Sequence, residues 1–185
     1  MTANQRTLEV LLDKQEIHEL HCKYCRSVDR RDIELMRSTF HDDAVIHHQP
    51  WYDGPATPYF DMVEKSSKGH LAGSWSHMVA NELTYVDGDR ASSEWYLFQY
   101  DRIITPEQEL DFIVAGRFLE RLSRRDGVWR VSERQLVRDV TRVDPVGQKW
   151  LPHWPDLAQG IAGQTSRDDL SYQYMLDAPP AKPRG

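Results

Sequence analysis

Four long β-prone segments fill the second half of the chain and constrain its fold more than any other feature. They cover residues 75–86, 91–104, 110–123 and 128–142 and are rich in β-branched and aromatic residues. Turn sequences separate them, and Asp87-Gly88 and Asp126-Gly127 are typical of β-hairpins. The pattern predicts an antiparallel meander. Its strands exceed the usual length of about 5–6 residues, and strands this long in a small domain must curl.

The first half of the chain is predicted to be mostly helical. One apolar stripe recurs at helical spacing: Ile17, Leu20, Tyr24 and Val28. A capping-box-like pair, Asp13 and Glu16, predicts that this helix begins near Asp13 and that residues 1–9 form a frayed arm. Shorter helices are predicted over residues 33–39 and 59–66, with a strand over 44–48 and a loop over 50–58 between them.

Helices followed by strands indicate an α+β fold rather than an alternating α/β fold. We predict a cone-shaped α+β barrel, with N-terminal helices packed in a strongly curved, mostly antiparallel sheet. A chain of 185 residues with 39% apolar residues can bury one core. We assign residues 1–142 to this domain. Residues 143–185, which include Trp150 and Trp154, are predicted to form an interface or a lid with a disordered end.

Composition argues against several kinds of partner. The net charge is −6 and the basic residues are scattered, so we expect no binding to nucleic acid or to an anionic membrane. No apolar segment approaches the length of a membrane span, and no apolar signal core follows the N-terminus. Two cysteines are too few for a disulfide framework. The predicted location is cytoplasmic.

A metal or nucleotide cofactor is not expected. His18, Cys22 and Cys25 share a helix face, but a structural zinc site needs a fourth ligand, which the sequence does not supply. Half-buried thiols on a core helix are the alternative interpretation. Glycine-rich phosphate loops are absent from the sequence.

Tyr24, Asp29 and His77 are the candidate catalytic residues, together with Arg134. A carboxylate at the end of the first helix can hold one ring N–H of a histidine and leave the other nitrogen free as a base. A buried guanidinium can stabilise an enolate or a carboxylate. Each residue also has a plain structural interpretation: Asp29 as a turn residue, His77 as a core histidine, and Arg134 on a solvated face or at an interface.

Strand alternation predicts which side chains line an interior cavity. The candidates for substrate binding are His48, Trp95, Leu97, Gln99, Val114, Phe118, Leu136 and Arg138. The same alternation places Asn81 on the side of His77 and Ser132 on the side of Arg134. Whether Glu94, Asp101 or Asp111 joins the site is left open. A mostly apolar cavity with few polar groups is typical of a small-molecule site and suits an apolar, ring-bearing ligand.

Three short motifs resemble the nuclear transport factor 2-like superfamily, in its polyketide cyclase/dehydratase (SnoaL-like) branch. They are residues 27–31, His77 with Asn81, and residues 124–129 followed by Arg134. The resemblance extends over about residues 10–142 and includes the γ-hexachlorocyclohexane dehydrochlorinases and the bile acid 7α-dehydratases. In these families an aspartate–histidine dyad abstracts a proton and an arginine faces the pocket, which implies these roles for Asp29, His77 and Arg134.

Tyr24 and His48 refine what the resemblance implies. The dehydratases have a tyrosine at the position of Tyr24, where the dehydrochlorinases have a lysine. A phenol can protonate a departing hydroxyl, which implies loss of water. His48 stands where the dehydratases have a second tyrosine. The resemblance also implies a homotrimer.

The predicted function is a cofactor-independent lyase that eliminates water from a ring-bearing small molecule. The dyad acts as general base, Tyr24 as acid and Arg134 as anion stabiliser. Two alternatives remain open. One is a double-bond isomerase that uses the same base. The other is a non-catalytic binding or assembly domain, similar to the small subunit of ring-hydroxylating dioxygenases, because a fold alone does not decide a function.

Overall fold

The computed structural model describes residues 3–67, 74–146 and 160–175. Its helices are α1 (Ala3–Asp29), α2 (Ile33–Ser38), α3 (Ala56–Ser67) and α4 (Ser171–Tyr174). Its strands are β1 (Phe40–His48), β2 (Tyr52–Pro55), β3 (Trp75–Asp87), β4 (Arg90–Ile104), β5 (Glu109–Arg125) and β6 (Val128–Pro145).

One curved, six-stranded sheet forms the frame of the molecule, in the order β2-β1-β6-β5-β4-β3. Strands β3 to β6 form the predicted antiparallel meander. Strand β1 joins it in parallel to β6, and β2 pairs with β1 in antiparallel fashion at the edge. The sheet is mixed and does not close on itself. The predicted α+β, cone-like fold is confirmed.

β-Bulges let these long strands curl. The β5–β6 register shifts at Ala115/Gly116, and the β3–β4 register shifts between Ala80 and Leu83. A Cβ atom on Gly116 would lie 2.5 Å from the carbonyl oxygen of Val137, so only glycine allows this close approach. Asn81 occupies the β3 bulge with a φ of 43°. The sheet therefore bends around α1.

Helix α1 packs on the concave face of the sheet and supplies much of the core. The predicted apolar stripe of Ile17, Leu20, Tyr24 and Val28 is buried. Phe40, at the start of β1, is buried as well. The C-terminal end of α1, which carries Asp29, therefore lies against the sheet.

The start of α1 differs from the prediction. The helix begins at Ala3, so a frayed arm is wrong for the described residues 3–9. Asp13 does not cap a helix, because it is buried and accepts hydrogen bonds from Arg124 Nη1 at 2.7 Å and Trp129 Nε1 at 3.1 Å. The strong helix formers before Asp13 continue the helix, and Asp13 ties α1 to the β5–β6 hairpin.

Residues 50–58 also differ from the predicted loop. Tyr52–Pro55 forms strand β2, and α3 begins at Ala56. Tyr52 pairs with His48 across a tight connection, so turn-forming residues here mark a hairpin. Strand β1 begins at Phe40, four positions before the predicted strand start at 44.

Residues 160–175 pack against the C-terminal end of α1. Arg30 Nε lies 3.2 Å from Asp169 Oδ1, and the Arg26 guanidinium lies 4.6 Å from the centre of the Tyr172 ring. This segment contains the short helix α4. Trp150, Trp154 and the proline-rich end lie outside the described residues.

Candidate active site

The inward-facing positions of the sheet align in rows across its strands. Trp95, Phe118 and Leu136 pair in one row, and His48 lies one residue beyond the His47–Gln135 pair at its end. The next row contains Leu97, Gly116 and Arg138, and the row after it contains His77, Gln99 and Val114. The predicted substrate-binding residues therefore occupy three adjacent rows of one concave face.

Asp29 and His77 lie in direct contact. His77 Nδ1 lies 2.7 Å from Asp29 Oδ1, and the backbone N–H of His77 donates to the same carboxylate at 3.0 Å. The two side chains are 14% and 8% exposed. A neutral imidazole that donates from Nδ1 carries its lone pair on Nε2, which is the arrangement of a carboxylate-oriented general base.

A cavity of about 430 Å³ opens beside this pair, between α1 and β3. Its lining residues are His18, Cys22, Cys25, Arg26, Asp29, Arg30, His77 and Val79. Arg26 and Arg30 also contact residues 160–175, so the segment after β6 holds two residues of the cavity wall in place.

Asp101 is a second acidic group at this end of the site. It lies opposite Trp75 on β4, two residues from Gln99, whose amide donates to Asp101 Oδ2 at 2.5 Å. Asp101 is 8% exposed, and its Oδ1 is buried without a hydrogen-bond partner among the described residues. Burial raises the pKa of its carboxyl, against the opposing effect of His77. The carboxyl of Asp101 therefore holds its proton to a higher pH than an ordinary aspartate does.

Arg134 lies deeper, in a cage of aromatic rings. Its guanidinium carbon is 3.8 Å from the centre of the Tyr24 ring, 4.4 Å from that of Phe118 and 4.7 Å from that of Phe40. The side chain is fully buried. Cation–π attraction is strongest for such desolvated cations, and the cage holds the guanidinium flat against the core.

A chain of charged side chains that sequence reasoning missed extends from Arg134 to the surface. Arg134 Nε donates to Glu120 Oε1 at 2.5 Å, and Glu120 Oε2 lies 2.7 Å from His21 Nε2. His21 Nδ1 lies 3.3 Å from Glu82 Oε1, whose other oxygen lies 2.8 Å from His18 Nδ1. The pKa values of both glutamates are lowered to about 2 despite their burial, that of Glu120 mainly by Arg134 and His21 and that of Glu82 by its contacts with His21 and His18.

Local patterns explain why this chain was missed. The bulge at Asn81 reverses the alternation of β3, so Asn81 is exposed and Glu82 faces inward. The prediction for Asn81 was therefore wrong. Glu120 has the same parity as Val114 and Phe118, and His21 lies four residues after Ile17 on the buried stripe. Both could have been found by extending these patterns through polar residues.

Tyr24 is buried, and its ring contacts Phe40 and Phe118 edge-on. Its hydroxyl is hydrogen-bonded to that of Tyr59, and burial raises the pKa of Tyr24. The phenol therefore remains protonated and able to donate. Tyr24 precedes Asp29 by five residues, or about 7.5 Å along the helix axis, so it belongs to the inner cluster rather than to the wall of the dyad cavity.

His48, the last residue of β1, lies on the inner wall of the site. Its ring stacks on Phe118 at 5.3 Å and meets Tyr59 edge-on at 5.0 Å. Burial, with Arg134 and Arg138 nearby, lowers its pKa to about 3. His48 Nε2 and Trp95 Nε1 are buried without hydrogen-bond partners among the described residues. Polar atoms in this condition are typical of a surface that meets a ligand or water.

Arg138 and Ser132 lie at the margin of the site. The Arg138 guanidinium lies 4.5 Å from the centre of the Trp51 ring and donates to the carbonyl oxygen of Gln49. Ser132 follows buried Val131 at a register shift and bonds to Ser123 at 2.8 Å. Across that shift the buried positions of β6 change from odd to even, so Ser132 and Arg134 are not equivalent members of one inward row.

Within residues 3–67, 74–146 and 160–175, no three His, Cys, Asp or Glu side chains are arranged to hold a metal ion. His18 Nε2 lies 3.6 Å from Cys22 Sγ, and Cys25 is buried. In the same described ranges, no helix has both the length and the apolar character needed to cross a membrane.

A family model described as a SnoaL-like domain matches residues 9–135. The chain belongs to this family. The match includes Tyr24, Asp29, His77 and Arg134, and the predicted resemblance is confirmed. No curated protein sequence matches the chain.

Solved SnoaL-like structures share the fold at low sequence identity. Hexachlorocyclohexane dehydrochlorinase LinA-type3 from Novosphingobium barchaimii is 21% identical, with a TM-score of 0.64, over 79% of this chain and 99% of that one. A proposed scytalone dehydratase from Novosphingobium aromaticivorans is 18% identical, with a TM-score of 0.65, over 79% and 97%. A variant of Rv3472, of unknown function, from Mycobacterium tuberculosis is 22% identical, with a TM-score of 0.59, over 70% and 77%.

Proposed function

We propose that this SnoaL-like protein is a cofactor-independent lyase that eliminates water from an apolar, ring-bearing small molecule. The contact of 2.7 Å between His77 Nδ1 and Asp29 Oδ1, beside an open cavity, is the observation that carries the proposal. Dehydrochlorinases and a proposed dehydratase among the solved structures of this fold support the same class of reaction.

His77 is proposed to take the proton. Its Nε2 lone pair accepts a proton from a carbon next to an electron-withdrawing group, and the C–H electron pair moves into the new double bond. Asp29 holds the ring in one tautomer and stabilises the imidazolium that forms. The same carboxylate binds the backbone N–H of His77, so ring and strand are fixed together.

The leaving hydroxyl needs a proton donor, and Tyr24 is proposed for this role. Because Tyr24 lies in the inner cluster and not in the wall of the dyad cavity, the role requires a substrate that extends from His77 into that cluster. Its raised pKa keeps the hydroxyl protonated. The C–O bond breaks as the phenol proton moves to the departing oxygen, and the product is water. Asp101 is the other acidic side chain near the dyad, and its raised pKa makes it a second candidate for this donor.

Arg134 is proposed to stabilise the negative charge that develops on a substrate oxygen. Its Nη1 is buried without a hydrogen-bond partner among the described residues. A preorganised donor in a site that excludes water is among the larger contributions to catalysis. The inner rings of Trp95, Phe118 and His48 would pack against the apolar body of the substrate.

Proton exchange in D₂O tests this function. The protein and a matched His77→Gln variant are incubated with ring-bearing β-hydroxy ketones, hydroxysteroids and chlorinated cyclohexanes, and each compound is followed by mass spectrometry. We expect loss of water, with deuterium uptake at the acidic carbon, by the wild type alone. The rate should fall by about 10²–10⁴-fold in the variant, as for loss of a general base.

Other outcomes separate the alternatives. Deuterium uptake with a shifted double bond and no loss of water would identify an isomerase. Loss of halide from a chlorinated cyclohexane, with β-hydroxy ketones untouched, would identify a dehydrohalogenase. Binding of these compounds by both proteins without any turnover would overturn the catalytic proposal in favour of a binding domain.

A homotrimer in the cytoplasm remains our proposal for assembly and location. The outer face of the sheet supports an assembly, since it exposes large apolar side chains: Met78, Leu83, Tyr85, Phe98 and Val140. Contiguous exposed apolar surface of this kind marks protein contacts. Light scattering should give three times the chain mass, and a monomer at micromolar concentration would contradict the assembly.

A further inference from the structure

His21 is the one member of the charged chain that contacts two carboxylates on opposite sides of its ring. Nε2 lies 2.7 Å from Glu120 and Nδ1 lies 3.3 Å from Glu82. A neutral imidazole has one nitrogen that bears a lone pair, and that lone pair would face a carboxylate oxygen in either tautomer. Only the imidazolium presents an N–H to both partners.

The surroundings of His21 favour the same charge state. The titratable groups that face it are Glu82 from β3 and Glu120 from β5, while Trp95 from β4 stacks on its ring at 5.1 Å. Arg134 reaches it only across Glu120. Burial opposes the charge, but the two carboxylates outweigh it and raise the pKa of His21. Both contacts lie within ion-pair distance, and the charge of Glu120 is the largest of the effects that raise this pKa.

We propose that His21 is a protonated positioning residue that holds Glu120 and, through it, Arg134. With His21 charged, the buried cluster contains two cations, Arg134 and His21, and two carboxylates, Glu120 and Glu82. Its charges balance. Glu120 keeps one oxygen on His21 and the other on Arg134 Nε. The guanidinium of Arg134 is therefore held in one orientation, in which its Nη1 has no hydrogen-bond partner among the described residues.

Loss of the His21 charge would change both the net charge of the buried cluster and the orientation of Glu120. The cluster would carry one excess negative charge beside the position where Arg134 presents Nη1. Glu120 would lose its second partner and be free to turn toward the rest of the guanidinium. That arrangement disfavours an anionic oxygen at Arg134. This last consequence rests on the proposed function, whereas the charge of His21 and its link to Arg134 do not.

Imidazole and guanidinium NMR test the proposal without any substrate. Long-range ¹H–¹⁵N spectra of the folded protein between pH 6 and 9 show whether both ring nitrogens of His21 are protonated, with His21→Asn to assign the signal. We expect the doubly protonated pattern at pH 8, where a histidine with the ordinary pKa of about 6.5 is neutral. Glu82→Gln should lower the midpoint by at least about one pH unit.

The link to Arg134 has its own readout. The Nε–H resonance of Arg134 should shift as His21 titrates, and should shift in Glu82→Gln, a variant that leaves Glu120 and Arg134 intact. His41→Asn is the matched control, since His41 is also buried but contacts Ser123 rather than the cluster. A neutral His21 at pH 7, or an Arg134 resonance that ignores its titration, overturns the proposal.

Discussion

His77 and His21 each lie 2.7 Å from a carboxylate oxygen, but their surroundings differ. His77 has one carboxylate, on Nδ1, and borders a cavity. His21 is fully buried and has a carboxylate on each nitrogen. The arrangement at His77 leaves one ring nitrogen with a free lone pair that can accept a proton. The arrangement at His21 requires both ring nitrogens to be protonated. Both histidines have one carboxylate at the same distance, so that contact does not distinguish them. What separates the candidate base from the positioning residue is whether a second carboxylate meets the other ring nitrogen.

The largest effect should come from breaking the buried cluster. Arg134→Met leaves Glu120 buried without its main partner, so the free energy of unfolding should fall by about 3–5 kcal/mol. Urea denaturation measures it. Arg121→Met is the matched control, because Arg121 also pairs with a glutamate, Glu133 at 2.8 Å, but is 78% exposed. Its loss should cost less than about 1 kcal/mol.

A double variant sharpens this result. Adding Glu120→Gln to Arg134→Met removes the unpaired charge and should recover part of the lost stability. If both single variants are as stable as Arg121→Met, the cluster is not the rigid, charge-balanced unit described above.

Changes at the dyad should affect activity more than stability. Asp29→Asn keeps an oxygen for the His77 backbone N–H but no longer selects the tautomer with the Nε2 lone pair. We expect turnover to fall by about 10²–10⁴-fold, with little change in the urea midpoint. Steady-state kinetics and denaturation on the same preparation check this. If Asp29→Asn lost as much stability as Arg134→Met, the dyad would be as important for folding as the buried cluster, and the two regions would not differ in role.

His48 should make the protein sensitive to acid. The unfolded chain binds a proton at a pKa of 6.5 but the folded protein binds it only at about 3, so the unfolded state gains stability as the pH falls. Between pH 6.5 and 5 the free energy of unfolding should fall by at most roughly 1.4 kcal/mol per pH unit. Urea denaturation at several pH values measures this for the wild type and for His48→Phe, a variant that retains a stacking ring. The free energy of unfolding should depend less on pH in the variant.

The smallest effect is expected at Asp101. Its carboxyl has a raised pKa in the folded protein, so folding is penalised as the pH rises above the ordinary value of 3.8. Asp101→Asn imitates the neutral form and should stabilise the protein at pH 7 by less than about 1 kcal/mol, with no gain at pH 3. Thermal unfolding at the two values is the measurement. Equal gains at both would contradict a raised pKa.

Much of the fold follows from local signals in the sequence. Asp87-Gly88 and Asp126-Gly127 place two hairpins of the meander, because these dipeptides adopt the positive φ values seen at Asp126, Gly88 and Gly127. Two boundaries failed for different reasons. At Asp13 tertiary contacts took the carboxylate that a local signal assigned to a cap, whereas over residues 50–58 the turn signal was real but belonged to a hairpin rather than to a loop.

The candidate site was predicted less evenly. Asp29 and His77 were paired from motif and resemblance, and the structure brings them together. Glu82 was missed because the two-residue alternation of inward and outward side chains in β3 is interrupted at the bulge. Glu120 and His21 were missed because a charged residue on an inward row is expected only where its partner is known, and their partners lie on other elements.

The sequence by itself determined the order of the elements, the length of the strands and the residue types on the inner face, because these depend on propensity and periodicity over short distances. Only the tertiary structure decided which histidine has a free nitrogen. That depends on which carboxylates meet each ring, and the bulge at Asn81 sets one of these contacts by turning Glu82 inward. The roles of His77 and His21 are therefore properties of packing, not of the residues themselves.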